Sequence, residues 1–121
     1  MVRGMALTPS LTPRMVTIDC ADPRKLAEFW TEALGYTVLH DLEWFVMLSG
    51  GEGKLNLGLQ KVPEPRTGKN RVHVDYHTED RAAAVERLVK LGATVLGEEE
   101  VPGLTWTVLA DPDGNEFCVA G

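Results

Sequence analysis

A six-residue pattern that occurs twice constrains the fold of this chain more than any other feature. Leu34-Gly35-x-Thr37-Val38-Leu39 returns as Leu91-Gly92-x-Thr94-Val95-Leu96, 57 residues further on. A helical stretch precedes each copy, and before that comes an extended stretch with an aspartate, Val16–Asp19 in the first copy and Val72–Asp75 in the second. In a chain of 121 residues, this repeat indicates a duplicated structural unit within one domain.

Each copy predicts one amphipathic helix. The first begins near Asp22-Pro23, since aspartate caps free N–H groups and proline suits the first helical position, and it ends at Gly35. The second runs from about Glu79 to Leu91. Apolar residues at helical spacing form one buried stripe on each helix. They are Leu26, Phe29, Trp30, Ala33 and Leu34 in the first, and Ala84, Val85, Leu88 and Leu91 in the second.

Three extended segments follow each helix. They cover residues 36–40, 44–48 and 54–61 in the first copy, and 93–96, 104–110 and 116–120 in the second. Turns at Gly50-Gly51 and at Asp111–Asn115 separate them. The predicted organisation is a flexible N-terminal tail over 1–13, followed by one domain over 14–121. That domain consists of module 1 over 14–61, a linker over 62–69 and module 2 over 70–120.

Alternation along each strand sorts the side chains into a helix-packed face and a second face. The helix-packed set is Val16, Ile18, Cys20, Leu55, Leu57, Leu59, Val72, Val74, Tyr76, Phe117 and Val119. The second face then carries Asp19, Gln60, His73, Asp75, Glu116 and Cys118. This face is either solvated, as in many antiparallel sheets, or curved into a shared cleft. The duplication favours a cleft that holds a small molecule.

Several of these residues have the chemistry of a site. His73 beside Asp75 is a candidate general base with an orienting carboxylate, or else a polar pair that shares water; Glu116 is a third acid–base candidate. We expect Asp19, Gln60 and Cys118 to line the cleft as ligand-binding residues, with Cys118 a lining thiol and not a nucleophile. Trp44 and Trp106 either stack against a planar ligand or pack in the ordinary way.

Four segments together resemble the vicinal oxygen chelate superfamily of glyoxalase-like, bleomycin-resistance and dioxygenase proteins. They are Thr17-Ile-Asp-Cys-Ala-Asp-Pro, Leu26-Ala-Glu-Phe-Trp, Lys69-Asn-Arg-Val-His-Val-Asp and Asp111-Pro-Asp-Gly-Asn-Glu-Phe-Cys. The resemblance implies an α+β fold of two βαβββ modules, with curved mixed sheets around a cleft and the helices outside. It also implies a homodimer.

Metal-dependent members of the superfamily take a ligand from the first strand of each module and a glutamate from the last strand. Those positions correspond here to Met15, His73 and Cys118, with Glu116 two residues away on the same face. Mg²⁺ and Mn²⁺ prefer oxygen and imidazole donors, and a thioether, an imidazole and a thiolate are no familiar zinc set. A divalent metal would find an incomplete ligand set, so no metal site is assigned and the cofactor stays open.

The net charge and the composition limit the kinds of partner that the chain can bind. A net charge of −6 and a pI near 5.0 argue against nucleic acid and against an anionic membrane surface. No run of apolar residues reaches the length of a membrane span, and the first residues lack the apolar core of a signal peptide. The two cysteines are too few for a disulfide framework. We therefore expect a cytoplasmic protein.

Two function classes remain. The chain is either a lyase, isomerase or dioxygenase with a degenerate metal site, or a metal-free protein that binds a drug or metabolite. The residues do not decide between them.

Overall fold

The computed structural model describes residues 12–121, which form two βαβββ modules. Module 1 comprises β1 (Met15–Cys20), α1 (Pro23–Leu34), β2 (Thr37–Asp41), β3 (Phe45–Ser49) and β4 (Asn56–Lys61). Module 2 comprises β5 (Val74–His77), α2 (Arg81–Leu91), β6 (Thr94–Val101), β7 (Leu104–Ala110) and β8 (Glu116–Ala120). Most of the tail predicted over 1–13 lies outside the described residues.

Each module forms its own four-stranded mixed sheet. Sheet 1 has the order β1-β4-β3-β2 and sheet 2 the order β5-β8-β7-β6. In both, the first strand of the module pairs in parallel with its last strand, and the other pairs are antiparallel. The predicted α+β fold of two duplicated modules with mixed sheets is confirmed.

The repeated six-residue pattern produces the same two features in both modules. Its glycine ends the helix with a positive φ, 71° at Gly35 and 122° at Gly92, a backbone region that favours glycine. Its last leucine is an extra residue in the following strand pair, because the register shifts across Leu39 in sheet 1 and across Leu96 in sheet 2. The repeat therefore specifies a helix stop and a bulged edge strand.

Aspartates start both helices. The Asp22 side chain accepts a hydrogen bond from the Lys25 backbone N–H at 3.2 Å, and Asp80 accepts one from Ala83 N–H at 3.1 Å. The first helix starts and ends as predicted. The second begins at Arg81, two residues later than predicted, because Asp80 and not an earlier residue is the cap.

Helix α1 belongs to module 1 but also packs on module 2. The Trp30 side chain is 1% exposed, as its core assignment predicts. Its ring centroid lies 4.9 Å from that of Phe117 on β8 and 5.7 Å from that of Tyr76 on β5. The two modules therefore share one hydrophobic core.

A buried carboxylate reinforces this contact. Asp111, 3% exposed, begins the β7–β8 turn and accepts backbone N–H groups of Asp113 and Asn115 on one oxygen, each at 2.9 Å. Its other oxygen accepts the indole N–H of Trp30 at 3.1 Å. One side chain thus holds the turn of module 2 and binds the helix of module 1.

The assignment of Leu55 and Val72 to the helix-packed face is wrong. Leu55 is 44% exposed because β4 begins only at Asn56, opposite the first residue of β1. Val72 is 76% exposed because β5 begins only at Val74, which pairs with Phe117. In the same register Val72 would lie opposite Asn115, which belongs to the β7–β8 turn, so Val72 has no strand beside it. Irregular chain therefore runs from β4 to β5.

No helix within residues 12–121 has both the length and the apolar character that crossing a membrane requires.

Candidate functional site

A cavity of about 890 Å³ lies against sheet 2, lined by the second face of that sheet. Phe117 and Val119 of β8 belong to the hydrophobic core, so the alternate residue Cys118 faces away from the core and into this space. We call it the sheet 2 cavity. It is lined by Lys69, His73, Asp75, Leu96, Gly97, Glu99, Leu104, Trp106, Val108, Glu116, Phe117, Cys118 and Ala120.

Strand register places these side chains in rows. Asp75 on β5 pairs with Cys118 on β8, which pairs with Val108 on β7, which pairs with Gly97 on β6. A neighbouring row runs from Ala120 through Trp106 to Glu99. The absence of a side chain at Gly97 leaves open space at that end of the first row.

Three titratable groups meet at one end of the cavity. His73 Nε2 lies 3.4 Å from Asp75 Oδ1, and donor atoms of His73, Asp75 and Cys118 all lie within 4.8 Å of one another. The His73 and Asp75 side chains are 44% and 71% exposed, whereas Cys118 is buried. The structure therefore brings together three of the predicted site residues.

The environment of Cys118 keeps its thiol protonated. Burial raises its pKa, and the nearby Asp75 carboxylate, with its charge and its hydrogen bond to the thiol, raises the pKa further. The charge of Glu116 acts in the same direction and that of Lys69 in the opposite one. Cys118 is thus a neutral lining group, as the sequence predicts, and not an activated nucleophile.

Glu116 lines the sheet 2 cavity and also a second cavity, of about 530 Å³. Its side chain is 18% exposed, and its Oε2 is 4.0 Å from Arg66 Nη1. Asn70 donates a side-chain hydrogen bond to the Glu116 backbone carbonyl at 3.2 Å. The chain between β4 and β5 therefore holds the start of β8 in place.

The donor set discriminates between metals. An imidazole, a carboxylate and a thiol within 4.8 Å are donors that Zn²⁺ accepts, although the thiol must first lose its proton. Mg²⁺ and Mn²⁺ favour oxygen ligands, so Cys118 is a poor donor for them. His73, Asp75 and Cys118 would hold a zinc-type ion, and they do not fit a hard divalent ion.

The predicted site residues do not share one cleft. The second cavity, of about 530 Å³, lies between β1 and β5. Asp19 lines this cavity, together with His73 and Glu116. We call it the intermodule slot. Gln60 lies on β4 of sheet 1, whereas Trp44, predicted to begin a strand, lies in the bend before β3 and is 56% exposed. Neither residue lines either of these two cavities. Strand alternation gives the face of a residue, but it does not give the distance between two sheets.

Module 1 has no matching set of titratable groups on its second face. The helix caps Asp22 and Asp80 are equivalent, so Thr17 and not Asp19 corresponds to Asp75, and Met15 corresponds to His73. Side chains of Met15, Thr17 and Phe45 pack over Gly58, where a Cβ atom would lie 2.9 to 3.0 Å from them. The cluster of titratable groups His73, Asp75 and Cys118 therefore belongs to module 2.

Sequence reasoning missed Lys69, Gly97 and Glu99 in the lining. Glu99 was missed because β6 extends to Val101, beyond its predicted end at Leu96. The alternation of apolar residues stops at Leu96, and the extension rests on pairing with β7. A signal that could have found Glu99 is the length of β7, which needs a partner along all seven residues.

Comparison with known proteins gives a consistent result. The sequence profile of the family described as "Glyoxalase-like domain" matches residues 15–120. The chain is 25% identical to "Glyoxalase 1" of Caenorhabditis elegans over 115 residues, which cover 88% of this chain and 41% of that protein. It thus spans about two fifths of the length of the curated relatives that it matches.

Solved structures share the fold. A glyoxalase/bleomycin resistance protein/dioxygenase from Nocardioides superposes with a TM-score of 0.75 at 19% identity, covering 98% of this chain and 87% of that one. A structure described as lactoylglutathione lyase from Agrobacterium tumefaciens gives 0.67 at 19% identity, covering 93% and 95%.

Proposed function

This chain belongs to the glyoxalase-like domain family, and on that premise we propose that it binds a small molecule with a positive charge and an apolar body in the sheet 2 cavity. One observation carries the proposal. Three carboxylates, those of Asp75, Glu99 and Glu116, line the same cavity as Trp106.

Electrostatics select the charge of the ligand. Against the three carboxylates, Lys69 is the permanently cationic group among the described residues that line the cavity, and the thiol of Cys118 is neutral. The whole chain carries a net charge of −6. A cation is therefore attracted to this cavity and an anion is repelled.

Apolar groups select the body of the ligand. Trp106 is half-buried on β7, and its ring offers a face for stacking and for a cation–π contact. Leu96, Leu104 and Val108 line the same space. A ligand with an aromatic or aliphatic body would cover these side chains and place its charge toward the carboxylates.

We assign roles accordingly. Asp75 and Glu116 balance the ligand charge, His73 donates or accepts a hydrogen bond at the rim, and Cys118 forms part of the floor. The ligand contacts predicted for Asp19, Gln60 and Trp44 stay predictions, because these residues lie outside the sheet 2 cavity.

The probe for this proposal is benzyltrimethylammonium, compared with its neutral isostere neopentylbenzene and with the anion phenylacetate. We expect saturable binding of the cation, measured by NMR shifts of cavity residues, and at least tenfold weaker binding of the other two. Trp106→Leu should weaken binding, whereas Trp44→Leu is the matched control and should not. Equal affinity for the cation and the anion would contradict the proposal.

His73→Ala tests the predicted importance of this residue. Its side chain is 44% exposed and contributes little core burial, so the melting temperature should hardly change while ligand affinity falls. Loss of folding with unchanged affinity would show that the role of His73 is structural.

A second candidate function is catalysis on a small oxygenated substrate, as a lyase, isomerase or dioxygenase. The observation that favours it is the 3.4 Å contact between His73 Nε2 and Asp75 Oδ1, an arrangement suited to an oriented general base. Metal analysis of protein purified without chelator separates the candidates. Stoichiometric zinc that chelator removes together with ligand affinity supports the enzyme, whereas chelator-insensitive binding supports a binding protein.

We also propose that the protein is a cytoplasmic homodimer. Apolar side chains are exposed on both outer strands, including Val38 and Leu39 on β2 and Val95 on β6, each 46% to 51% exposed. Sedimentation at micromolar concentration should give twice the chain mass of 13.3 kDa. Leu39→Lys should shift it toward monomer, and Val89→Lys on α2 is the control. Two buried thiols, Cys20 and Cys118, suit a reducing compartment.

A further inference from the structure

We infer that the intermodule slot binds an extended peptide, which adds a strand between the open edges of β1 and β5. The slot lies between the two modules, is distinct from the sheet 2 cavity in most of its lining, and has a volume of about 530 Å³. Residues 16–20 of β1 and Val74 and Tyr76 of β5 line it, together with Ala21, Val72 and His73 next to those strands.

The backbone of β1 is open toward the slot. The Arg14 carbonyl accepts the Asn56 N–H at 3.1 Å and the Cys20 carbonyl accepts the Val62 N–H at 3.0 Å, so the even-numbered residues of β1 bond to β4. In a parallel pair the alternate residues turn their N–H and C=O groups the other way. Those of Thr17 and Asp19 therefore point away from β4.

The protein already covers one end of this edge. Asn115 donates its side-chain N–H to the Asp19 carbonyl at 3.1 Å, and Asp113 Oδ1 accepts the Ala21 N–H at 3.4 Å. Both partners belong to the β7–β8 turn of module 2, which shows that the open edge of β1 faces that module. The Thr17 N–H and C=O and the Asp19 N–H lie beyond this cover.

The backbone of β5 is open in the same way. The Thr78 N–H donates to the Ala120 carbonyl at 3.0 Å, so the even-numbered residues of this segment bond to β8. The backbone groups of His73 and Asp75 consequently point away from β8. Strands β1 and β5 are the inner ends of two separate sheets and are not hydrogen-bonded to each other.

Two open strand edges beside one cavity match an extended chain. A strand pairs with its neighbours at about 4.8 Å and rises about 3.3 Å per residue, so four or five residues can pair along β1 and β5. Exposed strand edges are common sites of strand addition by peptides. A compact ligand would leave most of these backbone groups unpaired.

The lining selects the side chains of the peptide. Val16, Ile18 and Tyr76 pack against the hydrophobic core on one side of the slot, whereas Asp19 is exposed on the other side. Among the charged side chains that line the slot, four carboxylates outnumber two guanidinium groups; they are Asp19, Glu64, Asp113 and Glu116 against Arg66 and Arg71. A strand that alternates apolar and basic residues places each kind against its complement. The net charge of −6 acts in the same sense.

The test uses acetyl-Val-Lys-Val-Lys-Val-amide with the full chain labelled for NMR. We expect amide exchange at Thr17, Asp19 and Asp75 to slow about tenfold at saturation, while Val16 and Ile18, already bonded to β4, stay unchanged. The same peptide N-methylated at two valines loses two N–H donors on one edge, where the methyl groups also block strand pairing, and it should not bind. The Glu analogue of the peptide should bind at least fivefold more weakly.

Two variants complete the test. Thr17→Pro removes an N–H that faces the slot but none that bonds to β4, so it should abolish binding; circular dichroism and the melting temperature check its fold. Asp19→Asn keeps the backbone and should reduce the preference for lysine over glutamate. Unchanged exchange at the three amides, equal binding of the N-methylated peptide, or shifts confined to Cys118 and Trp106 would overturn the inference.

Discussion

At the scale of single residues, Asp111 is the position on which the joining of the two modules depends most directly. It accepts three hydrogen bonds while it is 3% exposed. Burial raises its pKa, although the bonds from Asn115, Trp30 and Asp113 oppose that rise. Hydrogen bonding therefore makes a buried charge tolerable without removing the cost of its desolvation.

Trp30→Phe tests this contact. The change removes the indole N–H that bonds to Asp111 and leaves a buried carboxylate with one donor fewer, so we expect a loss of about 1–3 kcal/mol in the free energy of unfolding. Denaturant titration measures it. Trp44→Phe, at a position 56% exposed, is the matched control and should change stability by less than about 0.5 kcal/mol. Equal effects of the two changes would contradict the role of Asp111.

The two thiols give a pH-dependent prediction. Burial, followed by the charge of Asp113, raises the pKa of Cys20 from 9.0 to about 12, and burial also raises the pKa of Cys118. Both thiols should therefore resist iodoacetamide at pH 8 in the folded protein and react once the protein is unfolded, as measured by mass spectrometry.

The raised pKa of Cys20 also determines how stability changes with pH. Between pH 9.0 and about 12 the unfolded state loses the Cys20 proton while the folded state keeps it, so stability falls as the pH rises through this range. Cys20→Ser should flatten that fall. A steeper alkaline loss in the variant would contradict the assignment.

At the scale of elements, two glycines, one in each sheet, have opposite roles. A Cβ at Gly58 on β4 would lie 2.9 Å from Phe45 Cζ and 2.9 Å from Thr17 Oγ1. A Cβ at Gly97 on β6 would meet no atom within 4 Å. The second face of sheet 1 is thus closed by its own side chains, whereas that of sheet 2 is open.

Gly58→Ala should therefore cost about 1–3 kcal/mol, because the methyl group overpacks the cluster of Met15, Thr17 and Phe45. Gly97→Ala should change stability by less than about 0.5 kcal/mol, although it adds a methyl group to the sheet 2 cavity. Thermal unfolding and titration with benzyltrimethylammonium measure the two effects. Destabilisation by Gly97→Ala as large as that by Gly58→Ala would contradict this difference between the sheets.

At the scale of the whole molecule, the duplication does not produce two independent units. Trp30 of α1 lies 4.9 Å from Phe117 and 5.7 Å from Tyr76, ring centroid to ring centroid, so each module completes the core of the other. Arg87 on α2 adds a hydrogen bond to the Glu32 carbonyl on α1 at 3.0 Å.

We therefore expect one cooperative unfolding transition. Trp fluorescence, which reports Trp30 in the shared core together with Trp44 and Trp106, and far-ultraviolet circular dichroism, which reports both modules, should give the same denaturant midpoint. Phe117→Ala should lower that midpoint by both probes together. Two separated transitions would show that the modules fold independently.

Much of the fold was predictable from local signals. The Leu-Gly-x-Thr-Val-Leu repeat, the caps Asp22 and Asp80 and the alternation in β8 act over a few residues, and they predicted both helices, the duplicated modules and the side on which Phe117 and Cys118 lie. The prediction that Leu55 and Val72 are buried was wrong because apolar residues extend beyond the end of strand pairing.

The sequence by itself determined which residue types each strand presents and that the chain is built twice. Only the tertiary structure decided which of them meet. His73, Asp75 and Cys118 come together because β5 pairs with β8, and Gln60 stays apart because it belongs to the other sheet. Periodicity is a local property of the backbone, whereas the distance between two sheets depends on how Trp30 and Asp111, 81 positions apart in the chain, dock one module on the other.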